Sequence, residues 1–509
     1  MKKISRVFTL LLCAVIVVTA FSSCSQSFGE MKPATPQIDD SSQLKLPVCN
    51  TDSLNPYLAT TQYNLSLSTL LFEGLVKVKA DFTTENVIAK SISVIGNTVN
   101  VNINTAHCFS DGSPIGASDV EYSFNMAKES DNYSKQLENF EEISASGHSV
   151  TFILKNPDKY AALCLDFPIL KAPVAEGDDD ENTNDNKSDK DDKIVIGSGK
   201  YKVENIQSLV MNERWNSGKL PKVRRIRLIN MLDTASGPES VETGNISFYF
   251  QDMNNGSYVR KNVQVHETPM TNLVFLGMNS YNEHLKKAEV RQAISLLIPK
   301  ETIVEESYLG YGQIADTPFF PGWKELENIK ITDKSEAENE ATELLESAGY
   351  TRGEDVLSKI MRLRIVVNDD NPLKVSAAEN VAGALKTVGI DAVVEKIPSD
   401  AFLGVLQRGE YELYIGEAEL SKNMSLSPFF SYGAGASYGI DSDAKIISVY
   451  NEFLEGKVSL QRFADYFDVA SPFAPICFRN GIEMYTNEMT VKKYGTVTDN
   501  YENIYSWYY

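Results

Sequence analysis

The alternation of patterns between Arg362 and Ile415 constrains the fold more than any other stretch of the chain. Arg362–Val367 alternates charged and β-branched side chains, the period of a strand. Lys374–Val388 puts Val375, Ala378, Val381, Ala382, Leu385 and Val388 on one helical face, and Gly389 stops that helix. Ile390–Ile397 reads as a second strand. Asp400 is placed to cap a short helix ending at Gly409, and Tyr411–Ile415 is a third strand closed by Gly416. Strand, helix, strand, helix, strand is the order of a parallel sheet wrapped by helices. Such sheets bind ligands beyond the carboxyl ends of their strands. The segment from Gly416 to Gly439 is therefore the first place to look for a site.

The rest of the composition narrows the class. A chain of 509 residues, 42% hydrophobic and 23% charged, is globular and long enough for two or three domains. Its formal charge of −21 repels phosphate backbones and argues against nucleic-acid partners. Cys13, Cys24, Cys49, Cys108, Cys164 and Cys477 form no C-x-x-C pair, which gives zinc or thioredoxin-like chemistry no support. Lys2, Lys3 and Arg6 precede the apolar run Val7–Phe21, so residues 1–23 read as an export signal too short to span a membrane. Phe21-Ser22-Ser23-Cys24 resembles a bacterial lipoprotein processing site. That resemblance implies lipidation of Cys24, a flexible Ser-, Pro- and Asp-rich tether over 24–44, and a lipid-anchored protein on the outer face of the cell membrane. Glu176–Lys193 carries nine acids and three lysines and reads as a disordered loop within 176–193. It has no glycine where a calcium-binding EF-hand loop needs its turn.

Several motifs follow in order. They are Leu54-Asn-Pro-Tyr57, Leu71-Phe-Glu-Gly-Leu-Val76, Phe109-Ser-Asp-Gly-Ser-Pro114 and Ala117-Ser-Asp-Val-Glu-Tyr-Ser-Phe124. Between them Val87–Ser93, Thr98–Ile103 and His148–Leu154 alternate as half-buried strands. Ser118–Glu121 reads as a capping box before a helix bearing Val120, Phe124 and Ala127. Gly197–Tyr201, Val290–Ser295 and Glu343–Tyr350 continue the series. In sequence and spacing these motifs resemble the extracellular solute-binding proteins of family 5, the peptide-binding components of ABC importers, over everything after Thr51. The resemblance implies an α/β, two-lobed periplasmic-binding-protein-like fold of type II, the large peptide-binder class, with an extra first-lobe subdomain. Lobe I would span 45–270, with the subdomain at about 81–194, and lobe II 271–473. Residues 474–509 would return to lobe I. Asn272–Asn279 and Pro472–Gly481 resemble the two crossing strands, which together make a hinge.

The family's peptide binders follow the third strand with a Trp-rich loop whose Asp holds the ligand's amino terminus. This chain reads Gly416-Glu-Ala-Glu-Leu-Ser-Lys-Asn-Met-Ser-Leu-Ser-Pro428 instead, without that Trp or Asp. Glu417 and Glu419 share a face if the strand runs on. Either one of them anchors an amine, or they are solvated charges or an internal ion pair. Asn423, Tyr432 and Tyr438 would add hydrogen bonds and stacking. The resemblance also implies that Tyr63 and Asn64 approach from the opposite lobe, and that Trp323 lies in an aromatic loop near the cleft, as packing or as a ligand contact. The function implied is a substrate-binding lipoprotein that captures a peptide or peptide-like small molecule. It would be a monomer delivering its solute to ABC permease and ATPase subunits, with no cofactor, no metal and no catalysis. A surface receptor of the same fold is the alternative. A secreted hydrolase built on Gly435-Ala-Ser-Tyr-Gly439 with Ser437 is weaker, because the last histidine, His284, lies upstream of the serine. Nickel or haem capture is also weak, since none of the four histidines falls in the candidate loop.

Overall fold

A computed structural model describes residues 43–173, 196–254, 261–330, 336–350, 361–431, 433–442 and 444–509. The signal segment, Cys24 and its tether, the acidic run 176–193 and Tyr432 lie outside the described residues.

The stretch that opened the sequence reading forms as expected, with shifted ends. Strand Arg362–Asn368, helix Pro372–Thr387, strand Asp391–Ile397, helix Ser399–Gln407 and strand Leu413–Glu419 follow one another. The long helix starts two residues early because Asn371 caps it. The Asn371 side chain accepts the Lys374 N–H at 3.1 Å, and Pro372 fits the first turn, where no N–H partner is needed. Arg362–Asn368 pairs in parallel with both Asp391–Ile397 and Leu413–Glu419. The sheet is nevertheless mixed, not purely parallel. On its other side Leu413–Glu419 runs antiparallel to Gln264–Met278, which runs antiparallel to Phe473–Tyr485. Strand Phe248–Gln251 closes that edge, giving seven strands among the described residues when Gly312–Ile314 is included. The two long strands that bring the chain in and out of the sheet enter side by side, which imposes the antiparallel half. Their register slips between Pro269 and Leu273. Proline lacks the N–H that the ladder needs.

Period-two burial builds the core. Leu363, Ile365 and Val367 alternate inward with Val274, Leu276 and Met278, and the helix face of Ala378, Val381 and Leu385 covers them. Two smaller sheets lie earlier in the chain. Leu44–Val48 pairs in parallel with Arg225–Asn230, followed by Ser208–Met211 and Tyr201–Asn205. Gly197 and Gly199 run past the carboxyl end of helix Gln62–Leu71, where a Cβ would sit 2.2 Å from the Leu71 carbonyl oxygen and 2.4 Å from that of Leu70. That approach fixes glycine at both positions. Ala89–Ile95, Thr98–Ile103, Ser149–Leu154 and Phe140–Ser146 form the other sheet, capped by helix Ala117–Glu129, whose Phe124 meets Phe140, Phe152 and Phe167. The capping box is offset from Ser118–Glu121. Gly116 is the N-cap, and its N–H donates to Asp119 Oδ2 at 2.8 Å. Asp119 Oδ1 accepts the Ala172 N–H at 2.8 Å, so the buried carboxylate ties the helix start to a distant loop rather than leaving Glu121 to cap it.

Candidate functional site

Strand Leu413–Glu419 runs four residues beyond Ile415 because its partner continues beside it, from Met278 opposite Leu413 to Asn272 opposite Glu419. Gly416 makes this possible, since a Cβ there would lie 2.4 Å from Phe275 Cζ. Side chains two apart on a strand point the same way, so Glu417 and Glu419 face one cleft. The cleft holds about 500 Å³, within the range of small-molecule sites. Asp252, Asn272, Asp370, Lys374 and Arg479 join the two glutamates in its wall.

Glu417 is the centre of an ion network. Arg479 donates to Glu417 Oε1 from Nε at 2.9 Å and from Nη2 at 2.6 Å, and pairs with Asp252 through Nη1. Lys374 Nζ lies 3.2 Å from Glu417 Oε2, and Asn272 Nδ2 donates to Oε1 at 3.1 Å. Burial opposes ionisation of Glu417, but Lys374 and Arg479 hold its carboxyl below the ordinary range. Burial likewise opposes the Arg479 charge, and Asp252 and Glu417 more than offset it, so its pKa is raised. Arg479 is 2% exposed, and a guanidinium that deep requires such partners.

Glu419 is different. It is exposed to the water of the cleft and makes no ion pair within 4.0 Å among the described residues. Protein surrounds it on several sides all the same. Burial, together with the charges of Asp252 and Glu417, raises its pKa, while Lys135 acts the other way. It is the carboxylate of this pair left available for a partner.

The remaining candidates have internal contacts. Asn423 is 7% exposed; its Nδ2 donates to Asp158 Oδ2 at 2.8 Å and its Oδ1 accepts from Ser421. Beside it Lys422 pairs with Asp166. This short segment therefore docks the chain onto residues 158–166 rather than lining the cleft. Asn64 is fully engaged in pinning the 49–53 loop, accepting the Cys49 N–H at 2.9 Å and donating to the Cys49, Asp52 and Ser53 carbonyls. The Tyr63 hydroxyl donates to the Asp233 carbonyl at 2.7 Å. Trp323 is 2% exposed and packs 5.0 Å from the rings of Tyr160 and Phe319, so it is core. Tyr438 lies at the other end of the strand, where Ser280 holds Gly439 by two hydrogen bonds. Six residues of strand separate that end from Glu419, roughly 20 Å. Ser437 sits among turns, donates to the Ala434 carbonyl at 2.8 Å, and has no histidine beside it; His266 stacks on Tyr494 and His284 meets the Tyr350 hydroxyl.

Sequence reasoning missed Arg479, Lys374, Asp252, Asn272 and Asp370. Arg479 carried a signal, since a lone arginine inside the apolar run Pro472–Phe478 and its sequel cannot be buried unpaired. The others come from three separated segments, and only the fold brings them together. Among the described residues no group of three or more His, Cys, Asp or Glu side chains is placed to hold a metal ion, and no helix is long and apolar enough to cross a membrane.

Comparison with known proteins agrees with this architecture. The family described as bacterial extracellular solute-binding proteins, family 5 Middle, matches residues 83–439. The oligopeptide-binding protein AppA of Bacillus subtilis is 22% identical over 376 residues, covering 69% of this chain and 68% of that protein. The nickel-binding periplasmic protein of Escherichia coli is 24% identical over 372 residues, covering 67% of this chain and 68% of that protein. The crystal structure of the nickel ABC transporter from Bacillus halodurans superposes with a TM-score of 0.72 at 19% identity, covering 92% of this chain and 99% of that one. The fold is therefore the two-lobed α/β fold of these binding proteins. Such proteins bind solutes for ABC transporters and are not enzymes. The chain belongs to the bacterial extracellular solute-binding proteins of family 5.

Proposed function

We propose that this protein captures a peptide or peptide-like small solute in the cleft between its lobes and delivers it to an ABC permease. In this reading Glu419 anchors an amino group of the solute and Glu417 does not. The observation that carries it is the contrast between the two carboxylates. Glu417 is matched by Arg479, Lys374 and Asn272, whereas Glu419 stands unpaired in the same 500 Å³ cleft. An ammonium there would make a charge-assisted hydrogen bond with a carboxylate that lacks a partner. The lobes, 45–270 with 474–509 on one side and 271–473 on the other, close by bending where Gln264–Met278 and Phe473–Tyr485 cross between them. A solute drives closure only through contacts with both lobes. Asp252 and Asn254 of the first lobe and Glu417 and Glu419 of the second both line the cleft, so a solute held there can touch both. Cys24 moors the protein to the membrane by acylation, and the protein works as a monomer.

The test is mass spectrometry of solutes that co-purify with the protein, followed by thermal melts with each solute added back. A captured solute raises the melting temperature by mass action. Glu419→Gln is expected to weaken an amine-bearing solute about tenfold or more, the loss of one charged hydrogen bond, while leaving the melt of the free protein unchanged. Equal binding by parent and Glu419→Gln refutes the anchor.

A further inference from the structure

The cleft also specifies the charge of what it holds, an inference that rests on the cleft being the capture site. Its wall contains four carboxylates, Asp252, Asp370, Glu417 and Glu419, against two cations, Lys374 and Arg479. Both cations are engaged by the protein itself, Lys374 with Glu417 and Arg479 with Glu417 and Asp252. Three of the wall's four asparagine amides are engaged too. Asn272 Nδ2 donates to Glu417, Asn368 Nδ2 to Asp370, and Asn371 Nδ2 to the Asn254 carbonyl at 2.6 Å. Each of these partners is an acceptor only, which fixes which end of each amide carries the nitrogen. The wall is thus rich in acceptors and poor in available donors. No aromatic ring lines it among the described residues.

We infer that the solute is a donor-rich cation with at least two amino or guanidino groups and no free carboxylate. One cationic group pairs with Glu419, and a second meets Asp370 or the 37% exposed side chain of Asp252. A free carboxylate would face these acids, and both cations that line the wall are already engaged, so the same wall disfavours it. Linear polyamines and basic peptides with a blocked carboxyl end share this chemistry.

Isothermal titration of the full-length chain with four probes tests the inference. They are spermidine, tri-lysine amide, tri-lysine with its free carboxylate, and tri-alanine. Spermidine or tri-lysine amide is expected to bind about tenfold or more tightly than tri-alanine, and the amide more tightly than the free acid. The better of the two cations identifies polyamine or peptide as the source. Glu419→Gln is expected to remove that advantage, and Glu346→Gln, an exposed acid on helix Ala337–Ser347, to leave it intact. A matching loss in Glu346→Gln would reveal mere pairing with an acidic surface and overturn the inference. Tri-alanine binding as tightly as tri-lysine amide overturns the charge selection and leaves capture by the cleft standing. Silence from all four probes overturns the selection as well. The co-purified solute then judges capture on its own, because that measurement assumes no charge.

Discussion

Replacing Arg479 by Met tests whether the cleft floor is held together by its ion network. The guanidinium is 2% exposed and contacts Glu417, whose side chain is 13% exposed, at 2.6 and 2.9 Å. Removing one partner from a buried pair leaves the other charge uncompensated and costs roughly 3–5 kcal/mol. Two features pull the expectation to the lower end. Lys374 remains 3.2 Å from Glu417. The Asp252 contact is 37% exposed, and such pairs are worth about 0–1 kcal/mol because water screens them. About 3 kcal/mol is the expected loss. At about 2.1 cal/mol/K per residue, the unfolding entropy of a chain this long is roughly 1 kcal/mol/K. The melting temperature should therefore fall by about 3 °C in calorimetry. Glu417→Gln made together with Arg479→Met should recover part of the loss, because neither buried charge is then stranded. A single variant that melts within about 1 °C of the parent, or a double variant that melts far lower than the single, refutes the network as a stabilising unit.

Gly416→Ala should cost about 1–3 kcal/mol by overpacking, because the new methyl meets Phe275, whose ring is boxed in by Tyr414, Phe429 and Phe473; thermal melts followed by circular dichroism check this. Asn423→Ala removes the side-chain donor to Asp158, which is 3% exposed, and should cost about 1–3 kcal/mol in urea titrations. Glu483 is fully buried, and burial pushes its carboxyl from an ordinary 4.5 up to about 7, against hydrogen bonds donated by Tyr485 and Gly495. Between those two values the folded chain keeps a proton that the unfolded chain has released. This group's contribution to stability therefore falls as pH rises through that window. Glu483→Gln should flatten that part of the melting profile between about pH 5 and 8; a profile with the parent's slope refutes the assignment.

Much of the second half of the fold was legible because period and punctuation agreed there. Arg362–Asn368 opens in alternation and passes into the β-branched run Ile365–Val367, buried on both faces, and Gly389 and Gly409, both in left-handed conformation, end their helices where glycine stood in the sequence. The Leu413–Glu419 strand was read too short because Gly416 looks like a terminator. In the structure it is a packing position, a distinction that depends on Phe275, 141 positions earlier. The pairing of the two glutamates on one face was legible from the strand period. Their unlike roles were not, since Arg479, Lys374 and Asp252 reach Glu417 from distant segments. Asn64 and Trp323 fell to the same blindness. A polar or aromatic side chain near a presumed cleft looks available until its internal partners are seen.

The position of Phe473–Tyr485 bears on how the protein is made. This strand is buried at all thirteen positions and lies between Phe248–Gln251 and Gln264–Met278. It is also synthesised after both of those neighbours. A nascent chain lacking it holds two unmated strand edges around an empty slot, the arrangement most prone to sticking to its neighbours. Synthesis must therefore pass Tyr485 before the central sheet can zip up. Any product cut short of this strand keeps those edges open and is left as material for proteases.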